Sequence, residues 1–161
     1  MGMDVYGSQP TDSKGEYFRN NIWWWRPLWN YVEENFPDIA QKVPGAHYND
    51  GDGLNAEDSL LLASLMQDHI DRGLVRNFET TWKDTVENAP DELCEYCSQT
   101  GVRKWEAGSI QNDTAQDLYK ECNVCNGTGM KKSFITMYPF SEENVIEFTE
   151  FLKYCGGFSI C

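Results

Sequence analysis

Four cysteines in two Cys-x-x-Cys pairs, Cys94-Glu-Tyr-Cys97 and Cys122-Asn-Val-Cys125, carry the strongest chemical signal in the chain. The pairs are separated by 24 residues, near the spacing that reads as a four-cysteine zinc site. A two-residue spacer lets both thiolates of a pair reach one ion while the amides of the tight turn point at the sulfurs. The second pair then completes a tetrahedron. Gly101 follows the first knuckle, and Gly127 and Gly129 follow the second, where a positive φ would strain a side chain. No fifth ligand is evident, so the expected ion is one structural Zn²⁺ in a closed site. Two disulfides are the first alternative, and they rarely persist in the cytosol. Redox catalysis is the second, yet neither motif opens a helix in a thioredoxin-like setting. Cys155 and Cys161 read as two reduced thiols, with a local disulfide or an intermolecular contact as the alternative.

Other residues carry less. The histidines are His47 and His69, and no nucleophile elbow, zincin or phosphate-loop motif is present. The run Asn49-Asp50-Gly51-Asp52-Gly53 approximates a calcium loop, but Tyr48 and Ser59 then stand where ligands belong, and an Asx-rich turn is the better reading. Trp23, Trp24, Trp25 and Trp29 form either a candidate aromatic binding surface or part of the core. An enzyme is therefore disfavoured.

The chain has 161 residues, about one domain's worth, and 40% of them are apolar, enough for a core. Its 26 acids against 13 bases give a net charge of −13. Such a chain repels phosphates and is drawn to basic surfaces. No apolar run approaches the roughly 18 residues of a membrane span, and the first residues lack the pattern of a signal peptide. The expected location is the cytoplasm.

Several elements must position these groups. Met3–Tyr6 reads as a turn or short edge strand, and 16–25 as extended. A helix then starts at Pro27 and carries Leu28, Tyr31, Val32 and Phe36. Pro44–Gly53 is loop. Asn55 caps a helix with an apolar stripe of Leu61, Leu65, Met66 and Ile70, ended by Gly73. A second helix bearing Leu74, Phe78, Trp82, Thr85 and Val86 follows at once, which predicts an antiparallel hairpin. Ser133–Tyr138 reads as a strand, and Ser141 caps a last helix with Val145, Phe148, Phe151 and Leu152 on one face. The fold class expected is α+β. Three or four helices form a core from residues 1–90 and 131–161, and 91–130 is an inserted four-cysteine zinc-binding β-hairpin.

Two resemblances extend this reading. Cys122-Asn-Val-Cys125-Asn-Gly127-Thr-Gly129 resembles the Cys-x-x-Cys-x-Gly-x-Gly repeat of the cysteine-rich domain in DnaJ-type co-chaperones. The first module has Gln99 in place of a glycine, and there are two modules rather than four, which implies one zinc at most. The J-domain's His-Pro-Asp signature is absent, so co-chaperone activity is not implied. The opening Met-Gly-Met-Asp-Val-Tyr-Gly and the run from Gly15 to Leu28 resemble small proteins of phages and prophages, across about residues 1–70.

That second resemblance implies a phage-type accessory protein. The expected function is a non-enzymatic acidic zinc protein that binds a host or defence protein with a basic surface and inhibits or adapts it. An anti-CRISPR-like DNA mimic of the bacterial cytoplasm is one form of this. The acids expected to face the partner are Asp50, Asp52, Asp68, Asp71, Glu33 and Glu34. One alternative is a nucleic-acid-binding zinc protein using Arg103, Lys104, Lys120, Lys131 and Lys132. The other is a metal-dependent enzyme built on Asp50, Asp52 or His47.

Overall fold

Alternation opens the chain. Met3 and Val5 are buried while Tyr6 faces solvent, the period of a strand with one wet face. Gly2–Gly7 forms β1, and after a 3₁₀ turn at Ser13–Gly15 the chain returns as β2, Tyr17–Asn21. The two pair antiparallel, with Val5 opposite Phe18. The last strand of the chain, Phe158–Ile160, adds antiparallel to the other side of β1, giving a three-stranded sheet that places this strand beside the first. The structure is a computed structural model that describes residues 2–105 and 118–161.

Helix α1 spans Ile22–Asn35. It starts five residues before Pro27 because the Asn21 side chain accepts from the amides of Trp23 and Trp24, at 3.0 and 3.1 Å. The stretch read as extended therefore ends at Asn21. Pro27 lies inside the helix, where it has no N–H to give to the Trp23 carbonyl. Trp25, Leu28, Trp29 and Val32 recur at helical spacing and are fully buried. The Trp25 and Trp29 rings stack at 5.6 Å, and Phe148 meets both edge-on. The Trp25 indole donates to the Ala46 carbonyl at 2.7 Å.

A short α2 (Pro37–Ala40) leads into the loop before α3 (Ala56–Asp71). That loop runs along the last strand. Gly51 and Phe158 donate to Ile160 and Leu54, and Ile160 donates to Asp52, each at 2.8 Å. A Cβ on Gly53 would lie 1.9 Å from the Phe158 carbonyl, so only glycine fits there. Asn55 caps α3 by accepting from Asp58 at 2.8 Å. Met66 is buried and Leu65 and Ile70 pack against the core as expected, but Leu61 is exposed and Leu62 and Ala63 complete the buried face in its place. It packs on α4 (Leu74–Glu87) and on α5 (Glu142–Tyr154). Ser141 caps α5 by accepting from Asn144, and Val145, Phe148, Phe151 and Leu152 are buried as expected. There are five α-helices rather than three or four among the described residues.

The chain divides into two compact units, Met1–Glu87 with Met137–Cys161, and Asn88–Thr136. The first holds the apolar core. The second is built from β3 (Glu92–Leu93), β4 (Val102–Trp105), β5 (Leu118–Glu121) and β6 (Met130–Lys131) around four buried cysteines. The part of the expected insert at 106–117 lies outside the described residues. The strand expected at Ser133–Tyr138 is instead a 3₁₀ turn, Phe134–Met137. Thr136 closes it by donating both its amide and its hydroxyl to the Ser133 carbonyl, a local bond that competes with strand pairing.

His69 is half-buried on α3 with its Nδ1 2.8 Å from the Tyr31 hydroxyl. Burial holds its pKa below the ordinary 6.5, helped by Arg72 and opposed by Asp68. The folded protein therefore takes up this proton less readily than the unfolded chain. The stability it contributes is full above about 6.5 and is lost as pH falls through the lowered folded value. An NMR titration of the His69 ring is expected to show a midpoint below 6.5, and a midpoint above it would contradict the buried, Tyr31-bonded placement. In the core, Trp25→Ala is expected to cost about 3–5 kcal/mol in urea unfolding, against less than about 0.5 for Arg26→Ala on the exposed side of the same helix.

Candidate metal centre

Each Cys-x-x-Cys pair sits between two short strands. β3 enters the first knuckle and β4 leaves it; β5 enters the second and β6 leaves it. The pairing is crossed. β4 pairs with β5, and β3 pairs with β6, both antiparallel. Each knuckle is thus held by the other's strands, and the hydrogen bonds repeat the exchange. Cys94 donates its amide to the Gly129 carbonyl at 2.8 Å, and Cys122 donates to Gly101 at the same distance. The two glycines touch the opposite knuckle so closely that a Cβ on Gly101 would lie 2.1 Å from the Gly127 carbonyl. A Cβ on Gly129 would lie 2.4 Å from that of Gln99.

Inside each knuckle the backbone is the same. Ser98, Gln99 and Gly101 have positive φ in the first, and Asn126, Gly127 and Gly129 in the second. Thr100 and Thr128 occupy matching places. Each hydroxyl donates to the second cysteine's carbonyl, at 2.6 and 2.7 Å, and lies within bonding distance of the carbonyl two residues on. Gln99, where the second module has glycine, holds the left-handed φ of 67° that glycine adopts at no cost.

This backbone converges four sulfurs, all within 4.8 Å of one another. The Cys94–Cys122 and Cys97–Cys125 separations are 3.9 and 3.7 Å. A tetrahedron with metal–sulfur bonds of about 2.3 Å has edges of about 3.8 Å, so the spacing fits one four-coordinate ion. It does not fit a disulfide, whose sulfurs lie about 2.05 Å apart. The four thiols are all buried. Burial, reinforced by bonds to the Cys97 and Cys125 thiols, pushes the Cys94 thiol up to about 11. At Cys122 burial acts the same way but is overcome by the amides of Cys125 and Val124, which bring it down to about 7. Amide donors aimed at sulfur are what a thiolate ligand requires, and the Gly129 amide gives another to Cys125 at 3.3 Å. The cysteines form one candidate metal site, and all-sulfur tetrahedral donors suit zinc.

The other expected site residues are dispersed. Asp52 is turned into its own loop, accepting from Gly45 at 2.7 Å and from Gly53 at 2.9 Å, and Asp50 accepts from the Asp52 amide. The Asx-rich turn is therefore what these residues build. Asp68 and Asp71 are exposed on α3, paired with Arg72 at 2.9 Å and accepting from Gln67 at 2.8 Å. Glu33 lies 3.4 Å from His47, and Glu34 is exposed. Trp25 and Trp29 are buried, so the four tryptophans do not make one surface; Trp23 and Trp24 are half-buried, Trp23 against Tyr138. Helical geometry is the reason, since consecutive residues point about 100° apart. Lys131 and Lys132 pair with Glu95 and Asp91, at 3.0 and 2.8 Å. Cys155 is buried, Cys161 is exposed, and both are free thiols.

Sequence reading missed the matched threonines. The signal was present: Thr100-Gly-Val-Arg-Lys104 and Thr128-Gly-Met-Lys-Lys132 align at the same offset as the cysteines.

The purified protein is expected to carry one zinc per chain, and Cys94→Ser to lose it, as measured by elemental analysis. Gln99→Gly removes the strain of a left-handed side chain and should slow zinc release to a chelator, whereas Gly101→Ala should speed it. Equal release rates for all three proteins would argue against the crossed-knuckle geometry.

Comparison with known proteins finds no match: none among family models, none among curated proteins and none among solved structures.

Proposed function

We propose that the chain is a non-catalytic binding protein in which one structural zinc holds the insert and the acidic helical unit engages a basic surface on a partner. The observation that carries this reading is the disposition of charge. The helical unit has 19 acids and 8 bases, and the insert has 7 and 5. Seven of those eight bases already lie in ion pairs with acids of the same unit: Lys14 and Lys153 with Glu150, Arg19 with Asp4, Lys42 with Asp58, Arg72 with Asp68, Arg76 with Glu142 and Lys83 with Glu79. The surplus of acid therefore remains for a partner. The buried four-sulfur site supports the non-catalytic side, because every corner of its tetrahedron is a protein thiol and none is open to substrate. Among the described residues no helix is long and apolar enough to cross a membrane.

In its finer form the partner is a nucleic-acid-binding host or defence protein, and the chain is a phage-type inhibitor that occupies its groove in the bacterial cytoplasm, as an anti-CRISPR DNA mimic would. That form draws on the resemblance of residues 1–70 together with the charge. At about 0.15 M salt the Debye length is about 8 Å, so the attraction must come from acids at the contact rather than from the net charge.

The test is charge reversal in two groups, Asp68→Lys with Asp71→Lys and Glu33→Lys with Glu34→Lys, against a partner captured from bacterial lysate. Asp52 is excluded because reversing it would break its loop. In at least one group affinity should fall about tenfold or more and its salt dependence become shallower, with zinc content and melting temperature unchanged. Affinity indifferent to both reversals and to salt would sink the reading.

A further inference from the structure

The acidic-surface reading leaves the insert's basic residues unexplained, and the strand register there is unusual. β4 and β5 place Arg103 directly opposite Lys120. Directly opposed residues of an antiparallel pair share one face, so this register sets two cations side by side on the ribbon. Lys120 is exposed, and Arg103 reaches the neutral Asn123 oxygen at 3.3 Å. The crossed architecture then gathers more charge at one point. Arg103 and Lys131 hold equivalent places after the two knuckles, and both lie over the ring of Tyr96, at 5.8 and 5.3 Å from its centroid. Glu95 holds Lys131 in that position at 3.0 Å. Tyr96 is nevertheless 54% exposed.

An exposed tyrosine flanked by two cations, with a third cation across the strand from one of them, has the chemistry of a base-stacking and phosphate-holding site. We propose that the insert binds single-stranded nucleic acid. Tyr96 stacks on an unpaired base, Arg103 and Lys120 hold the adjoining phosphates, and Lys131 polarises and steadies the ring. A duplex is disfavoured because its bases are already stacked and paired, leaving Tyr96 no partner. An acidic or phosphorylated peptide would use the cations but gain nothing from the ring, whose face is electron-rich and repels carboxylates. The net charge of −13 does not forbid such contact, since at physiological salt charges beyond about 8 Å are largely screened.

The experiment uses the full, zinc-loaded chain and fluorescence anisotropy with labelled (dT)12, U12, a 12-base-pair duplex and a phosphorylated acidic peptide. Binding of the single strands is expected, with a log–log salt slope of about −1.4 to −2.1 for two or three phosphate contacts. Tyr96→Ala should weaken it at least tenfold, while Tyr96→Phe, which keeps the ring, stays within threefold. Arg103→Gln with Lys120→Gln should weaken it at least tenfold and flatten the slope. Should a variant lose zinc, photocrosslinking of the wild-type chain to (dT)12 decides: adducts on the peptide containing Tyr96 support the proposal, and adducts confined to the helical unit overturn it. No single-strand binding at 50 mM salt, affinity unmoved by these substitutions, or tighter binding of the duplex or the peptide would each overturn it. Failure here leaves the acidic-surface reading standing, because that reading is tested on residues of the other unit.

Discussion

Four sulfur atoms must sit at the corners of one small tetrahedron, and the backbone of the insert is organised around that demand. Edges of 3.7 and 3.9 Å bring thiols closer than uncharged side chains need to be and leave thiolates intolerably close unless a cation lies between them. The crossed knuckles resolve the conflict. Each supplies the carbonyl that anchors the other's first cysteine, so neither half is complete without its counterpart. The strands of the insert are two to four residues long and could not hold by pairing alone. Among the described residues the buried core of this unit is four cysteines, a composition in which a bound ion would supply the cohesion that apolar area supplies elsewhere.

The helical unit rests on different physics. Its centre is aromatic, with Trp25, Trp29 and Phe148 packed edge and face, and its sheet is closed by a strand and a loop that contribute backbone bonds rather than bulk. One chain thus combines an area-driven core with a ligand-driven one. Acid is concentrated in the first and basic residues are proportionally more frequent in the second, so the two units are suited to different chemistry in whatever they meet.

The metal site was legible in the sequence because ligand chemistry tolerates few spacings, and two equal Cys-x-x-Cys pairs with trailing glycines meet them. The helices at Asn55 and Ser141 were legible for a similar local reason: a cap and an apolar stripe both lie within a few turns. What escaped depended on distant partners. The last strand, three residues behind two glycines, is a strand only because β1 and the Gly51–Leu54 segment flank it. The face of α3 could not be fixed between Leu61 and Leu62 without knowing where α5 lies. Asp50 and Asp52 were expected to face a partner as well as to build an Asx-rich turn, and the folded loop turns Asp52 inward onto the Gly45 and Gly53 amides. Tyr96 was hidden because an exposed tyrosine is commonplace until two cations from different strands meet over it.

The pairing of β1 with the final strand bears on how the chain comes into being. Val5 and Ile160 are opposite one another, far apart in sequence and joined by strand pairing. During synthesis the residues of the helical unit that precede the insert lack the third strand of their sheet and the α5 packing until Glu142–Tyr154 and Phe158–Ile160 emerge. The insert has no such delay. Its strand pairs lie within one continuous segment, so its knuckles can meet before the chain beyond them is made. Non-local closure is slow, and an exposed aromatic surface invites aggregation in the interval. The pairing of β3 with β6 ties Glu92 to Lys131, so its formation shortens the effective loop that separates the two halves of that core.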